Sequence, residues 1–316
     1  MSQAFNALND ATRALLENIK RAGFPPLHQQ GVQMARQSYR MGVGASEVRR
    51  AQLPRVEDIA IPAKGGHTIP ARLWAPTDAP GLPVLLYLHG GGFVIGGIDT
   101  CEAMCRSLAA QSGVAVIAID YRLAPEHKFP AALDDTWDAI EWLRREGVAH
   151  GLDPQRLAVG GDSAGGTLAA SVALMCRDAG VPLRLQALFS PSVQVSLHTD
   201  SFKAFSEGLM LDAELMAWFD AQYKVPGQAL DWRREPLKAA SHEGLAPAWI
   251  GLAECDPLVD EGVDYADKLR LAGVPVDLEI YRGVTHEFIK MGRAIPEARK
   301  AHADAARALR QAFHLE

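Results

Sequence analysis

From Arg55 to Arg282 short apolar runs alternate with longer stretches in which apolar residues recur at helical spacing. Runs at 56–61, 68–74, 83–88, 114–120, 156–160, 184–190, 248–253 and 276–282 predict eight strands. The first two alternate apolar with polar residues and are joined by Lys64-Gly65-Gly66, the signature of an antiparallel pair. The later runs are almost continuously apolar, as strands covered on both faces must be. Between them, helical periodicity predicts helices near 100–112, 131–147, 164–179, 260–272 and 296–313. Strands separated by helices define an α/β fold with a mostly parallel sheet coated by helices.

Two stretches fall outside this rhythm. Residues 1–45 are helical and amphipathic in places, and about 195–240 holds Phe202, Phe205, Leu209, Met210, Met216, Trp218 and Phe219 between two strands. Both are expected to form a helical cap over one body, residues 46–316, with the second segment inserted into it.

Composition narrows the function. The 316 residues are 48% hydrophobic and 22% charged, with a net charge of -6 and no long like-charged block, which argues against nucleic acid and against a polybasic membrane patch. Cys101, Cys105, Cys176 and Cys255 are too few for a disulfide scaffold and lack the pairing of a zinc site, so no metal is expected. The N-terminal MSQAFNALND is polar, and no apolar run approaches the length of a membrane span. A cytoplasmic location without stable membrane association is the expectation.

The chemistry starts at 157–166, LAVGGDSAGG, where an apolar strand runs into Gly161-Asp162-Ser163-Ala164-Gly165 and then into a helical run. This is a G-x-S-x-G elbow in the required strand-to-helix context: small neighbours tolerate the sharp turn, and the helix N-terminus favours developing negative charge. A phosphate loop competes for the same glycines, but Gly166 stands where its lysine would be, and no G-x-G-x-x-G fingerprint is present. A second cluster, His89-Gly90-Gly91-Gly92-Phe93, directly follows the strand PVLLYL, in the loop where backbone N–H donors for an acyl oxyanion belong.

With HGGGF at 89–93, GDSAGG at 161–166, DYRLAPEHKFPAALDD at 120–135 and DPLVDEG at 256–262 in this order, the chain resembles the hormone-sensitive-lipase-like branch of the α/β-hydrolase esterases. The resemblance covers about Arg55 to Phe288. It implies that Gly91, Gly92 and Ala164 supply the oxyanion-hole N–H groups.

A serine hydroxyl needs a base and an orienting carboxylate. In this fold they follow the serine in the order acid, then histidine. Of the later histidines, His286 alone follows the last strand immediately, in GVTHEF; His198 and His242 lie in or near the inserted segment, and His302 and His314 in the terminal helix. Asp256 lies just past the strand AWIGLA and before Pro257, which favours an extended turn, and the family motif also places its acid there. Asp260 and Glu261 are expected to stabilise the start of the next helix. Asp120, Arg122, Glu126, Asp134 and Asp135 are expected to form a charge network bracing the glycine loop. Asp162 reads as structural, His89 as a hydrogen-bonded loop anchor and Cys255 as a buried strand-end thiol.

The expected function is hydrolysis of carboxylic esters with short to medium acyl chains through a Ser163–His286–Asp256 triad without a cofactor, Phe202, Phe205, Leu209 and Met210 forming pocket walls. Lipase, amide or thioester hydrolysis by the same groups are the rival enzyme readings. A ligand receptor on this fold is the rival from another class, and the presence of His286 in context argues against it. The expected partners are a small-molecule ester and, at most, a second copy of the chain.

Overall fold

A computed structural model describes residues 3–194, 198–227, 229 and 231–315; parts of the segment expected as the second cap piece, 195–197, 228 and 230, lie outside the described residues. Among the described residues eight strands form one sheet: β1 (Arg55–Pro62), β2 (Thr68–Ala75), β3 (Leu82–Leu88), β4 (Ala115–Ile119), β5 (Leu152–Asp162), β6 (Gln186–Phe189), β7 (Ala248–Cys255) and β8 (Val276–Thr285). Their order is β1-β2-β4-β3-β5-β6-β7-β8, with β2 antiparallel to both its neighbours and every other pairing parallel.

The helices are α1 (Gln3–Asn6), α2 (Asp10–Ala22), α3 (Val32–Ser46), α4 (Ile98–Ser112), α5 (Ala131–Glu146), α6 (Ala164–Asp178), α7 (Asp200–Phe205), α8 (Ala213–Tyr223), α9 (Val259–Leu271) and α10 (Pro296–Ala312). The two-residue repeat of the strands sorts the core into two layers. Leu73, Leu86, Ile117, Val159, Leu188 and Ile250 pack with α5, α6 and α9. Trp74, Leu85, Tyr87, Val116, Phe189 and Trp249, one residue out of phase, pack with α4 and α10. Burial on both faces is why these strands read as unbroken apolar runs.

Pattern reading missed the ends of elements. β5 begins at Leu152, before the apolar run, because Leu82 pairs with Leu152 across a register shift. β8 runs on to Thr285, carried by pairing of Cys255 with Thr285, so the strand itself delivers residue 286 to the sheet edge.

The N-terminal helices are tied to this body by specific bonds. Asn9 N–H donates to the Gly283 carbonyl at 2.9 Å, and its side chain caps α2 through Thr12 N–H. Arg36 of α3 donates to the carbonyls of Val94 and Ala124 at 2.8 and 2.9 Å and pairs with Glu126 at 2.7 Å. No helix among the described residues is long and apolar enough to cross a membrane.

Candidate active site

Four parallel strands end on one side of the sheet, and the loops leaving β3, β5, β7 and β8 carry the glycine cluster, Ser163, Asp256 and His286 respectively. This carboxyl edge is where open α/β sheets place their ligand sites. At the end of β5 the chain turns so sharply into α6 that Ser163 takes φ 53° and ψ -120°. The surroundings hold it there: Ser163 N–H donates to the Phe189 carbonyl at 2.9 Å, and its own carbonyl accepts from Thr167 N–H at 3.1 Å. Gly165 permits the turn because any Cβ there would run into the carbonyls of Leu88 and His89.

The serine, the histidine and the carboxylate form one hydrogen-bonded chain. His286 Nε2 lies 2.9 Å from Ser163 Oγ, and Nδ1 lies 2.6 Å from Asp256 Oδ2. Asp256 is fully buried, and its other oxygen accepts the Leu258 N–H at 2.9 Å, which fixes the carboxylate plane. Burial works to lower the imidazole's pKa, but the Asp256 charge and hydrogen bond, with Glu287 and Asp162 behind, outweigh it, so His286 titrates above its ordinary value. The sequence alone leaves the two opposing effects undecided.

The glycine loop closes on itself: the Gly91 carbonyl accepts from Val94 and Ile95 N–H at 3.0 and 2.9 Å. Gly92 has φ 58°, and a Cβ there would strike the ring of Phe219. Phe219, on α8, therefore presses an apolar side chain onto the loop expected to hold the oxyanion. It belongs to a cluster of Leu211, Leu215 and Leu258 with Met216 and Trp218.

The four residues expected as pocket walls pack as follows. Leu209 packs with Ala4, Leu8, Leu16 and Cys255, and Phe205 and Met210 rest on the same cluster, so three of the four seat the N-terminal helices. Phe202 is half-buried on α7 and joins none of the apolar clusters among the described residues. The cavity touching Ser163 is only about 10 Å³ and is lined in part by Phe189, His286, Phe288 and Ile289. A larger one, about 380 Å³, is lined by the glycine-loop side of the fold, with His89, Gly96, Asp120 and Arg36.

Other sequence expectations need correction. The charges at 120–135 do not form one network. Asp120 accepts Ile98 N–H at 2.6 Å and so starts α4; Arg122 grips buried Asp135, which also meets His67 at 2.8 Å; Glu126 belongs to Arg36; Asp134 makes no ion pair among the described residues. The brace on the glycine loop is neutral instead: the Tyr121 hydroxyl donates to the His89 carbonyl at 2.6 Å, and the two rings stack at 4.2 Å. His89 is fully buried with Nδ1 2.8 Å from the Gly90 carbonyl, and burial lowers its pKa.

Asp260 and Glu261 open α9 by position, yet neither side chain caps it. Asp260 accepts the Ser201 N–H of α7 at 2.7 Å, and buried Glu261 accepts Val193 N–H at 2.9 Å. Both carboxylates reach across to other segments because the chain beside β6 and the cap approaches this turn, which spacing does not show. Cys255 is the fully buried last residue of β7, its thiol pushed up to about 11 by burial. Asp162 is buried and accepts the Tyr87 hydroxyl at 2.6 Å.

A nucleophile elbow, a histidine bridging it to a buried carboxylate and a glycine loop, on four parallel strand ends at one edge of this sheet, define an α/β hydrolase. The chain belongs to the α/β-hydrolase fold family, whose model matches residues 85–290, and within it to the hormone-sensitive-lipase-like esterases. It is 41% identical to an ethyl acetate hydrolase of Pseudomonas putida over 280 residues, 86% of this chain and 88% of that protein. It is 39% identical to the carboxylesterase NlhH of Mycobacterium tuberculosis, over 82% of this chain and 83% of that one. Among solved structures, an α/β hydrolase from the metagenome of Lake Arreo superposes with a TM-score of 0.94 at 38% identity, covering 98% of this chain and 99% of the other. A thermostable esterase from Pseudomonas putida gives 0.92 at 34%, covering 98% of both.

Proposed function

We propose that this chain hydrolyses carboxylic esters of short to medium acyl length through an acyl-enzyme, with Ser163 as nucleophile, His286 as base and Asp256 as its orienting acid. Ester hydrolysis is the activity of the family to which the chain belongs. The observation that carries the assignment is the continuous chain Ser163 Oγ, His286 Nε2, His286 Nδ1, Asp256 Oδ2.

Ser163 Oγ attacks the ester carbonyl carbon as its proton passes to His286 Nε2, and the carbonyl oxygen becomes an oxyanion met by the N–H groups of Gly91, Gly92 and Ala164. Collapse expels the alcohol, which takes the proton from His286. Water then attacks the acyl carbon, losing a proton to His286, and collapse of the second intermediate breaks the Ser163 Oγ–acyl bond, Oγ taking that proton back from His286 as the carboxylic acid leaves. Asp256 accepts the Nδ1–H throughout, which selects the tautomer with Nε2 free to accept and stabilises the imidazolium. No cofactor takes part in this scheme.

The restriction to short and medium chains is supported by the Phe219 cluster pressed on the glycine loop. Residues 1–45 and about 195–240 are proposed as the cap over the body 46–316, and the cytoplasm as the location, with a homodimer as the one expected assembly.

A single set of measurements tests this. p-Nitrophenyl esters from acetate to palmitate should show a rate maximum at short or medium length and a decline beyond it. An organophosphate should label Ser163 stoichiometrically, and Ser163→Ala should lose at least about 10³-fold in activity while staying folded. Labelling at another serine, or a rate that climbs to the longest chains, would overturn the nucleophile or the chain-length reading respectively; saturable ester binding with no turnover would indicate a receptor.

A further inference from the structure

Behind the triad lies a second polar cluster that the scheme above does not use. Lys290 is buried, its side chain 3% exposed, with Nζ 2.7 Å from Asp162 Oδ2, 2.8 Å from Glu287 Oε2 and 2.7 Å from the Tyr39 hydroxyl. Tyr39 in turn donates to Glu287 Oε2 at 2.6 Å, and Tyr87 donates to the other oxygen of Asp162 at 2.6 Å. Each partner comes from a different part of the chain: Asp162 from the end of β5, Glu287 from the loop after β8, Tyr39 from α3 and Tyr87 from β3.

Position in the chain gives the cluster its meaning. Asp162 immediately precedes Ser163, and Glu287 immediately follows His286. Ser163 and Glu287 are also two of the few non-glycine residues with positive φ, 53° and 64°. Such backbone is strained and persists only where surrounding contacts fix it. A buried ammonium between two carboxylates is an inefficient way to gain stability, because well-packed apolar side chains of similar volume do as well or better. It is a good way to hold two strained loops at one separation, since displacement of either leaves a buried charge unpaired.

Resting on the triad assignment, we propose that Lys290 is a positioning residue for ester hydrolysis: it clamps the Asp162 and Glu287 carboxylates and the Tyr39 hydroxyl, and thereby fixes Ser163 and His286 against each other and against helix α3. His286 faces Asp256, Glu287 and Asp162; Lys290 faces Asp162, Glu287 and Tyr39, with His89 and Tyr121 within its electrostatic reach. Lys290 thus governs distance, and Glu287 adds to the field that favours the imidazolium.

The test compares Lys290→Met, Glu287→Gln and the double variant, with kcat, KM and the pH profile of kcat/KM for a p-nitrophenyl ester. Lys290→Met should lower kcat by about 10–100-fold with KM within about threefold, because the two carboxylates repel and the near-attack geometry is lost. Glu287→Gln should move the rate step of His286 to lower pH by about half a unit to one unit, because one negative neighbour is gone. In the double variant kcat should stay about as low as in Lys290→Met, because the second substitution removes a partner of a clamp already lost, with the step displaced downward as in Glu287→Gln. Wild-type kcat in Lys290→Met, or losses in the two single variants that simply multiply in the double, overturns the clamp and leaves Lys290 a packing residue. If Lys290→Met lacks a cooperative melt, Tyr39→Phe and Glu287→Gln decide: the clamp requires kcat to fall in both, with the step displaced downward in Glu287→Gln, and wild-type behaviour in both overturns it. Failure of the triad reading shows differently, as a rate step that survives His286→Gln whatever happens at Lys290.

Discussion

At the scale of single residues the decisive object is the His286 imidazole, which can take the serine proton only while neutral. Burial opposes its charge, but Asp256 at 2.6 Å and the more distant carboxylates prevail, so the folded pKa stands above the usual value of about 6.5. The rate kcat/KM for a neutral ester should therefore rise with pH in one step whose midpoint lies above about 6.5, and plateau beyond it. His286→Gln should remove the step together with most of the turnover; a midpoint clearly below that value would contradict the ordering of effects. The acid is tested by a pair of substitutions. Asp256→Asn should depress kcat by up to about 10⁴-fold through the wrong tautomer, whereas Asp260→Asn should act mainly on stability, because Asp260 bonds Ser201 and not the imidazole. Equal losses of kcat in the two variants would reopen the choice.

At the scale of elements, α10 is fastened to the histidine loop by His302, whose Nε2 donates to the Ile289 carbonyl at 2.9 Å. Burial pushes this imidazole down to about 4, only partly countered by that bond. The unfolded chain, with an imidazole near about 6.5, then binds more protons than the folded one between about pH 6.5 and 4, so stability must fall as pH drops through that window, by roughly 3 kcal/mol in all. His286 acts in the opposite sense: its raised folded pKa contributes stability that is complete below about 6.5 and is lost as pH rises through the folded value. Denaturant unfolding at a series of pH values should show the acid loss in the wild type and a flatter curve in His302→Gln; identical curves would mean that His302 is not held neutral. The helix was legible in its apolar spacing, but the partner of His302 was not, since Ile289 lies in a one-turn helix that no periodicity announces.

On the scale of the whole molecule the N-terminal segment reaches the polar cluster behind the triad through α3. α3 supplies Tyr39 to the cluster behind the triad, and Arg36 anchors the same helix to the loops at Val94 and Ala124. Loss of this charge-assisted set should cost about 2 kcal/mol. Arg36→Met should accordingly speed proteolytic cleavage within the first 45 residues and lower Tm by a few degrees. Unchanged protection would show that the segment is held mainly by the apolar cluster of Ala4, Leu8, Leu16 and Leu209.

How far the sequence reaches follows from which contacts are local. The strand-elbow-helix around Ser163, the glycine loop after β3 and the candidates Asp256 and His286 are legible in short-range pattern, because one apolar run, one turn and one helix start lie together in the chain, whereas the start of β5 at Leu152 and the end of β8 at Thr285 come from pairing with Leu82 and Cys255. The eight-strand α/β architecture is written in the same way, as burial on two faces. What only tertiary structure decided are pairings across long separations: Lys290 with Asp162, Phe219 on Gly92, Glu261 with Val193, and the N-terminal helices against Leu209. A lysine in FIKM or a phenylalanine in a helix carries no local signal of its partner, and its role follows from the packing of segments that the chain brings together only when folded.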